Sequence, residues 1–122
     1  MMKIFKHRHF QQWLKSEKLT DESLKKAVTE IDRGLHDGDL GSGLYKKRVA
    51  MPGKGKRGSY RTLLALKHGE SAFFVYGYAK NVKANLNEKE QVVYKALAKA
   101  LLSLDAKAVE NMLKTSTLIE VK

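Results

Sequence analysis

The sequence contains no cysteine, which removes disulfides, thiolate nucleophiles and cysteine metal ligands together. Proline occurs once, at Pro52, inside a glycine- and lysine-rich stretch that cannot be strand interior. Apolar runs are short. None approaches the roughly 18 residues of a membrane span, and the first ten residues carry no apolar core of signal-peptide length. The expectation is a cytoplasmic chain without a membrane segment. Acid is scarce where base is abundant. Between Leu40 and Asn87 ten Lys or Arg face one acid, Glu70, whereas the rest of the chain has fourteen against twelve. The net charge of +11 is therefore concentrated in the middle of the chain. A solubilising surface mixes both signs, so a local excess of this kind implies an anionic partner, of which a nucleic acid is the commonest.

What is present suffices for one folded domain. The 122 residues are 43% hydrophobic, too apolar for a disordered chain. Neither a repeat nor a low-complexity tract divides them, so residues 1–122 are read as a single domain.

The richest stretch runs from Leu44 to Arg61 and holds seven basic residues and no acid. Leu44 to Met51 reads as a strand, with Lys46 and Arg48 on one face and Tyr45, Lys47 and Val49 on the other. The loop from Pro52 to Gly58 carries Lys54, Lys56 and Arg57. It lacks the Gly-x4-Gly-Lys-Ser/Thr spacing and following helix of a nucleotide-binding loop, so NTP binding is set aside. Ser59 to Lys67 and Ala72 to Ala79 read as two further strands joined at Gly69, the second apolar enough to be central. Arg61 falls among Leu63 and Ala65 on the alternation. An arginine there needs an anion, and a ligand phosphate is the natural candidate.

Helices flank these strands. Phe10, Trp13 and Leu14 place one around residues 7–17. Thr20 with Asp21 and Glu22 starts a second, whose stripe of Leu24, Ala27, Val28, Ile31 and Leu35 faces a core. Asn87 and Glu90 form a capping box before a third, with Val93, Leu97, Ala100, Leu101 and Leu104 as its stripe. Asp105 caps a short fourth containing Val109, Met112 and Leu113. Met1 to Phe5 suits a strand or a helix lead-in, Asp37 to Gly43 a loop, and Thr115 to Val121 a last strand. His7 and His9 form a His-x-His pair, yet no second ligand pair accompanies them, so no metal or other cofactor is expected. The fold class is α+β, a small antiparallel β-sheet with two N-terminal helices and a C-terminal helix, the helices packed on one face.

Leu40-Gly41-x-Gly43-Leu44-Tyr45-Lys46-Lys47-Arg48-Val49, then Pro52-Gly53-Lys54-Gly55-Lys56-x-Gly58-x-Tyr60-Arg61, then Tyr76-Gly77-Tyr78-Ala79-Lys80-Asn81-x-Lys83-x-Asn85 with Glu90 resemble the RelE-type toxins of bacterial toxin–antitoxin pairs, in the RelE/HigB-like branch. The resemblance covers about Leu19 to Leu104. It implies a compact microbial-RNase-like fold, cleavage of mRNA on the ribosome, and neutralisation by a cognate antitoxin combining an acidic segment with a helix-turn-helix DNA-binding domain. Gyrase-directed ParE-type relatives share the fold, so fold alone does not decide the activity. On the resemblance, Lys46 and Arg48 stand where the family has paired strand lysines, Arg61 matches its strand arginine, and Lys80 and Lys83 fall near the cations after the last central strand. The family's C-terminal tyrosine has Tyr78 and Tyr94 as candidates, and the histidine-containing ending of the HigB type is absent.

Metal-free RNA cleavage must deprotonate the 2′-hydroxyl, stabilise the phosphorane and protonate the leaving 5′-oxygen. A lysine crowded by like charges can serve as the base, and Lys46, Lys47 and Arg48 crowd one another. The catalytic expectation is thus Lys46, Arg48, Arg61 and Lys80. RNA contacts are expected from Lys47, Lys54, Lys56, Arg57, Tyr60, Tyr78 and Lys83, the tyrosines by stacking on bases. The alternatives are a gyrase inhibitor and a non-catalytic nucleic-acid-binding module.

Overall fold

The computed structural model describes residues 2–17, 19–50, 59–79 and 86–122. In chain order the elements are β1 (Lys3–His7), α1 (Arg8–Lys15), α2 (Asp21–Asp32), β2 (Gly38–Gly41), β3 (Leu44–Ala50), β4 (Ser59–Lys67), β5 (Ser71–Ala79), α3 (Glu88–Leu102), α4 (Ala106–Lys114) and β6 (Leu118–Glu120). The α+β class stands, with a larger sheet than three strands. Six strands lie in the order β2-β3-β4-β5-β1-β6, and β1 pairs with β5 in parallel while the other pairs are antiparallel.

The helices start where side chains can accept from unpaired backbone N–H groups. Thr20 Oγ1 accepts from Ser23 N–H, Asp105 from Ala108 N–H, and Asn87 and Glu90 bond each other's backbone reciprocally. Among the described residues no helix is long and apolar enough to cross a membrane.

Three expectations need correction. The helices cover both faces of the sheet, not one. Phe10, Leu14, Leu24, Val28 and Ile31 of α1 and α2 pack with Val49, Leu64 and Phe74 on one side. Ala98 and Leu101 of α3 pack with Leu44, Leu63, Phe73 and Val75 on the other. A sheet whose central strands are apolar in both registers leaves both faces to be covered. Second, the expected loop at Asp37 to Gly43 contains β2. Gly38 pairs with Lys46 and Asp39 with Tyr45, and the turn at Ser42 and Gly43 uses positive φ at both residues. Pairing with β3 overrides a low strand propensity at this edge. Third, α3 departs in part from its expected stripe: Leu97, Leu101 and Leu104 face inward as expected, but Val93 is 61% exposed and Ala100 is exposed, and Tyr94 and Ala98 face inward in their place. Two apolar stripes overlap on that helix, and the contacts of Tyr94 and Leu102 select between them. Leu35, beyond the end of α2, is likewise exposed.

Candidate nucleic-acid interface

Alternation along β3 sends neighbouring cations to opposite sides of the sheet. Leu44 lies in the core beneath α3, so Lys46 and Arg48 share that face, whereas Tyr45, Lys47 and Val49 face α2. On β4, Leu63 and Ala65 also lie beneath α3, which puts Arg61 on the same face as Lys46 and Arg48. The register sets Arg48 directly opposite Arg61 and Lys46 opposite Leu63. Two guanidinium groups on facing strand positions repel each other, and without a ligand that arrangement is unfavourable. Arg48 reaches solvent, but Arg61 is only 9% exposed, held between Leu63 on its own strand and Tyr78 on β5. Its Nε has no hydrogen-bond partner, and neither arginine is ion-paired among the described residues. A buried guanidinium with an unused N–H can donate to an oxyanion.

The aromatic part of the site depends on a break in the sheet. Leu63 pairs with Tyr76 but Leu64 pairs with Phe74, so Val75 is an extra residue on β5, a β-bulge. Val75 faces α3, and the bulge lets Tyr76 and Tyr78 face α3 as well, in line with Arg61. Without it strict alternation would turn both tyrosines toward α1. The ring of Tyr76 lies 5.6 Å from that of Tyr78 and stacks on Tyr94 of α3 at 4.9 Å. Burial, then the neighbouring Tyr76 and Glu90, raise the Tyr94 hydroxyl above its ordinary pKa of 10.0. That hydroxyl stays protonated, and a hydrogen-bond donor, throughout the neutral range. Gly77, between the two tyrosines, faces α1, where an added Cβ would overlap the ring of Trp13.

The opposite face is arranged differently. Lys47 Nζ lies 3.3 Å from Glu30 Oε1 and donates to Leu35 O at 2.8 Å. Tyr60 is 4% exposed and meets Trp13 edge-on at 5.3 Å. Both were expected to contact RNA; the structure places them against α2 and α1, on the side away from Arg61. The structure thus brings together Lys46, Arg48, Arg61 and Tyr78, and separates Lys47 and Tyr60 from them. Lys54, Lys56, Arg57, Lys80 and Lys83 lie outside the described residues. His68 sits at the far end of β4, roughly 20 Å along the strand from Arg61, where it contacts Asp32 and Tyr45.

Tyr76 and Tyr94 were not among the expected site residues, although Tyr94 was a candidate for the family's C-terminal tyrosine. For Tyr94 a signal existed, since it stands one helical turn after Glu90 on the inward side of a well-capped helix. Tyr76 had none, because alternation from Phe74 puts it on the wrong face and only the bulge reverses this.

Comparison with known families gives one match. The model for the RelE toxin of the RelE/RelB toxin–antitoxin system covers residues 2–121. A search of curated proteins gives no match.

Proposed function

The chain belongs to the RelE toxin family, and we propose that it acts as an endoribonuclease that cuts mRNA on the ribosome by attack of the 2′-hydroxyl on the adjacent phosphate. The observation that supports this reading above others is Arg61, buried, unsatisfied at Nε, opposite Arg48 and paired with Tyr78. In the proposed reaction the Arg61 guanidinium holds the scissile phosphate and stabilises the extra negative charge of the phosphorane. Lys46 and Arg48 add positive potential on the same face, and Lys46 is the candidate base for the 2′-hydroxyl. Tyr94, a protonated donor, can bond a phosphate or leaving-group oxygen. Lys80 is carried in this scheme by family resemblance alone, as a second phosphate clamp. The loop cations Lys54, Lys56 and Arg57, with Lys83, serve as sequence-independent contacts to the RNA backbone.

The family also implies a cognate RelB-type antitoxin. We place an acidic antitoxin segment over residues 44–61, in competition with RNA, and expect its carboxylates to reach Arg48 and Arg61. Mapping the 5′ ends of cellular mRNA shortly after induction tests the nuclease. New ends inside translated codons, absent with Arg61→Ala, are expected. DNA-damage signalling without mRNA cuts would assign the chain to gyrase instead, and salt-sensitive binding without cuts would make it a non-catalytic module.

A further inference from the structure

β1 pairs with β5 only from Ser71 to Phe74. Beyond that point the edge of β5 is flanked by α1, and a cleft of about 420 Å³ opens between them. The volume falls within the range that accommodates a small organic ligand such as a nucleoside. Trp13, Tyr76 and Tyr94 are among its aromatic lining residues, and Ser16, Glu17 and His9 among its polar ones. The cleft also contains Tyr78, the residue paired with Arg61. It therefore adjoins the face that carries Arg61.

We propose that this cleft is a nucleobase subsite and that it selects guanine. The proposal rests on the nuclease reading for its polymer but not for its chemistry. A planar base finds aromatic faces here, and stacking on them is indifferent to sequence. Discrimination comes from Glu17. An ionised carboxylate only accepts hydrogen bonds, and Glu17 forms no ion pair among the described residues. Guanine presents two adjacent donors, N1–H and the N2 amino group, that match the two carboxylate oxygens. Adenine and cytosine each pair one amino group with an adjacent ring-nitrogen acceptor, which a carboxylate repels. Uracil offers one N–H between two carbonyls. His9, which lines the same cleft, has a ring nitrogen that can donate to guanine O6. His9, Trp13 and Glu17 all come from α1 and its C-terminal turn, so the subsite joins the N-terminal helix to a site otherwise built from the central strands and α3.

Trp13 is the chain's single tryptophan, so indole fluorescence comes from one residue, which lines this cleft. Titration of the full chain with 3′-GMP, 3′-AMP, 3′-CMP and 3′-UMP is expected to quench Trp13 saturably, with 3′-GMP binding about tenfold more tightly than the others, the worth of one charge-assisted hydrogen bond. Glu17→Gln, a partly exposed substitution that breaks no ion pair, is expected to erase that preference and keep the stacking. In cells the mapped cuts are expected to be enriched in guanine at one fixed position, and Glu17→Gln to flatten the enrichment. Absence of quenching, equal quenching by all four nucleotides, or an unchanged preference in Glu17→Gln overturns the subsite. If mRNA is cut without base bias and Trp13 is silent, the subsite falls and the nuclease stands. If 3′-GMP quenches selectively and no mRNA is cut, the nuclease falls and the subsite stands.

Discussion

The two faces of the sheet carry the same kinds of residue and treat them in opposite ways. Toward α1 and α2, each buried cation has an acid. Lys6, 5% exposed, lies 3.1 Å from Asp21, and Lys47 is held by Glu30 and a backbone carbonyl. The tyrosine there, Tyr60, is packed against Trp13. Toward α3, Arg61 is buried yet lacks a partner at Nε, it faces another arginine, and it pairs with Tyr78, whose ring meets Tyr76, which in turn stacks on Tyr94. Lys46, Lys47 and Arg48 are consecutive, so composition cannot explain the difference. One face spends its charges on holding helices. The other sets two arginines opposite each other and leaves Arg61 Nε without a hydrogen-bond partner among the described residues.

The contrast is broken most completely at Arg61. Arg61→Ala is expected to lower mRNA cleavage by about 10²–10³-fold, the usual effect of removing one preorganised donor to transition-state charge. Arg61→Leu is expected to abolish cleavage and raise the melting temperature, since an uncompensated buried cation gives way to an apolar side chain. A loss of stability in Arg61→Leu would show that the arginine is satisfied within the fold and would remove the main support for the phosphate site.

The next largest effect is expected where the two faces meet. Gly77→Ala drives a methyl group into the Trp13 ring and should destabilise the fold by about 1–3 kcal/mol, readable by denaturant titration. Because Gly77 lies between Tyr76 and Tyr78, the substitution should also weaken quenching of Trp13 by nucleotides.

Lys47 and Arg48 sharpen the comparison between adjacent positions. Lys47→Ala strands Glu30 and the Leu35 carbonyl and is expected to cost about 1–2 kcal/mol in stability. Arg48→Ala should leave stability nearly unchanged while reducing the salt dependence of RNA binding by about one phosphate contact. Equal effects of the two substitutions on both measurements would refute the division between faces.

The smallest effect concerns pH. Burial, with the neighbouring His9 and Arg8, holds the His7 imidazole below its ordinary value of 6.5. His7 Nδ1 caps α1 by accepting from His9 N–H at 3.3 Å, which requires that nitrogen to be unprotonated. The folded state therefore binds this proton less readily than the unfolded state. The contribution to stability is full above about pH 6.5 and is lost as pH falls from there through the lowered folded value. Thermal melts of wild type and His7→Asn should diverge above pH 6.5 and converge in acid, with Trp13 fluorescence reporting the loosening of α1.

Much of this was legible in the sequence. The excess charge in the middle of the chain, the alternation that parts Lys46 and Arg48 from Lys47, and the placing of Arg61 among Leu63 and Ala65 required only counting and period two. Caps at Thr20, Asn87 and Asp105 located three helices. The extent of β4 matched its residues, and β5 began one residue early. The burial of Tyr60 was not legible, because alternation assigns a face but not what covers it, and a second helical layer on that face covers the ring. Val93 was misjudged because periodicity permits two stripes on α3.

Local chemistry by itself determined the elements other than β2, the sign and place of the charge, and the membership of Arg61 in an apolar strand. Those properties follow from the backbone period and from neighbours within a few positions. Tertiary structure alone decided that β1 would lie parallel to β5, that helices would cover both faces, that a bulge at Val75 would turn two tyrosines toward an arginine, and that α1 would bring Trp13 and Glu17 to their side. Each of these depends on register between strands distant in the chain, and a register shift of one residue reverses every side chain after it.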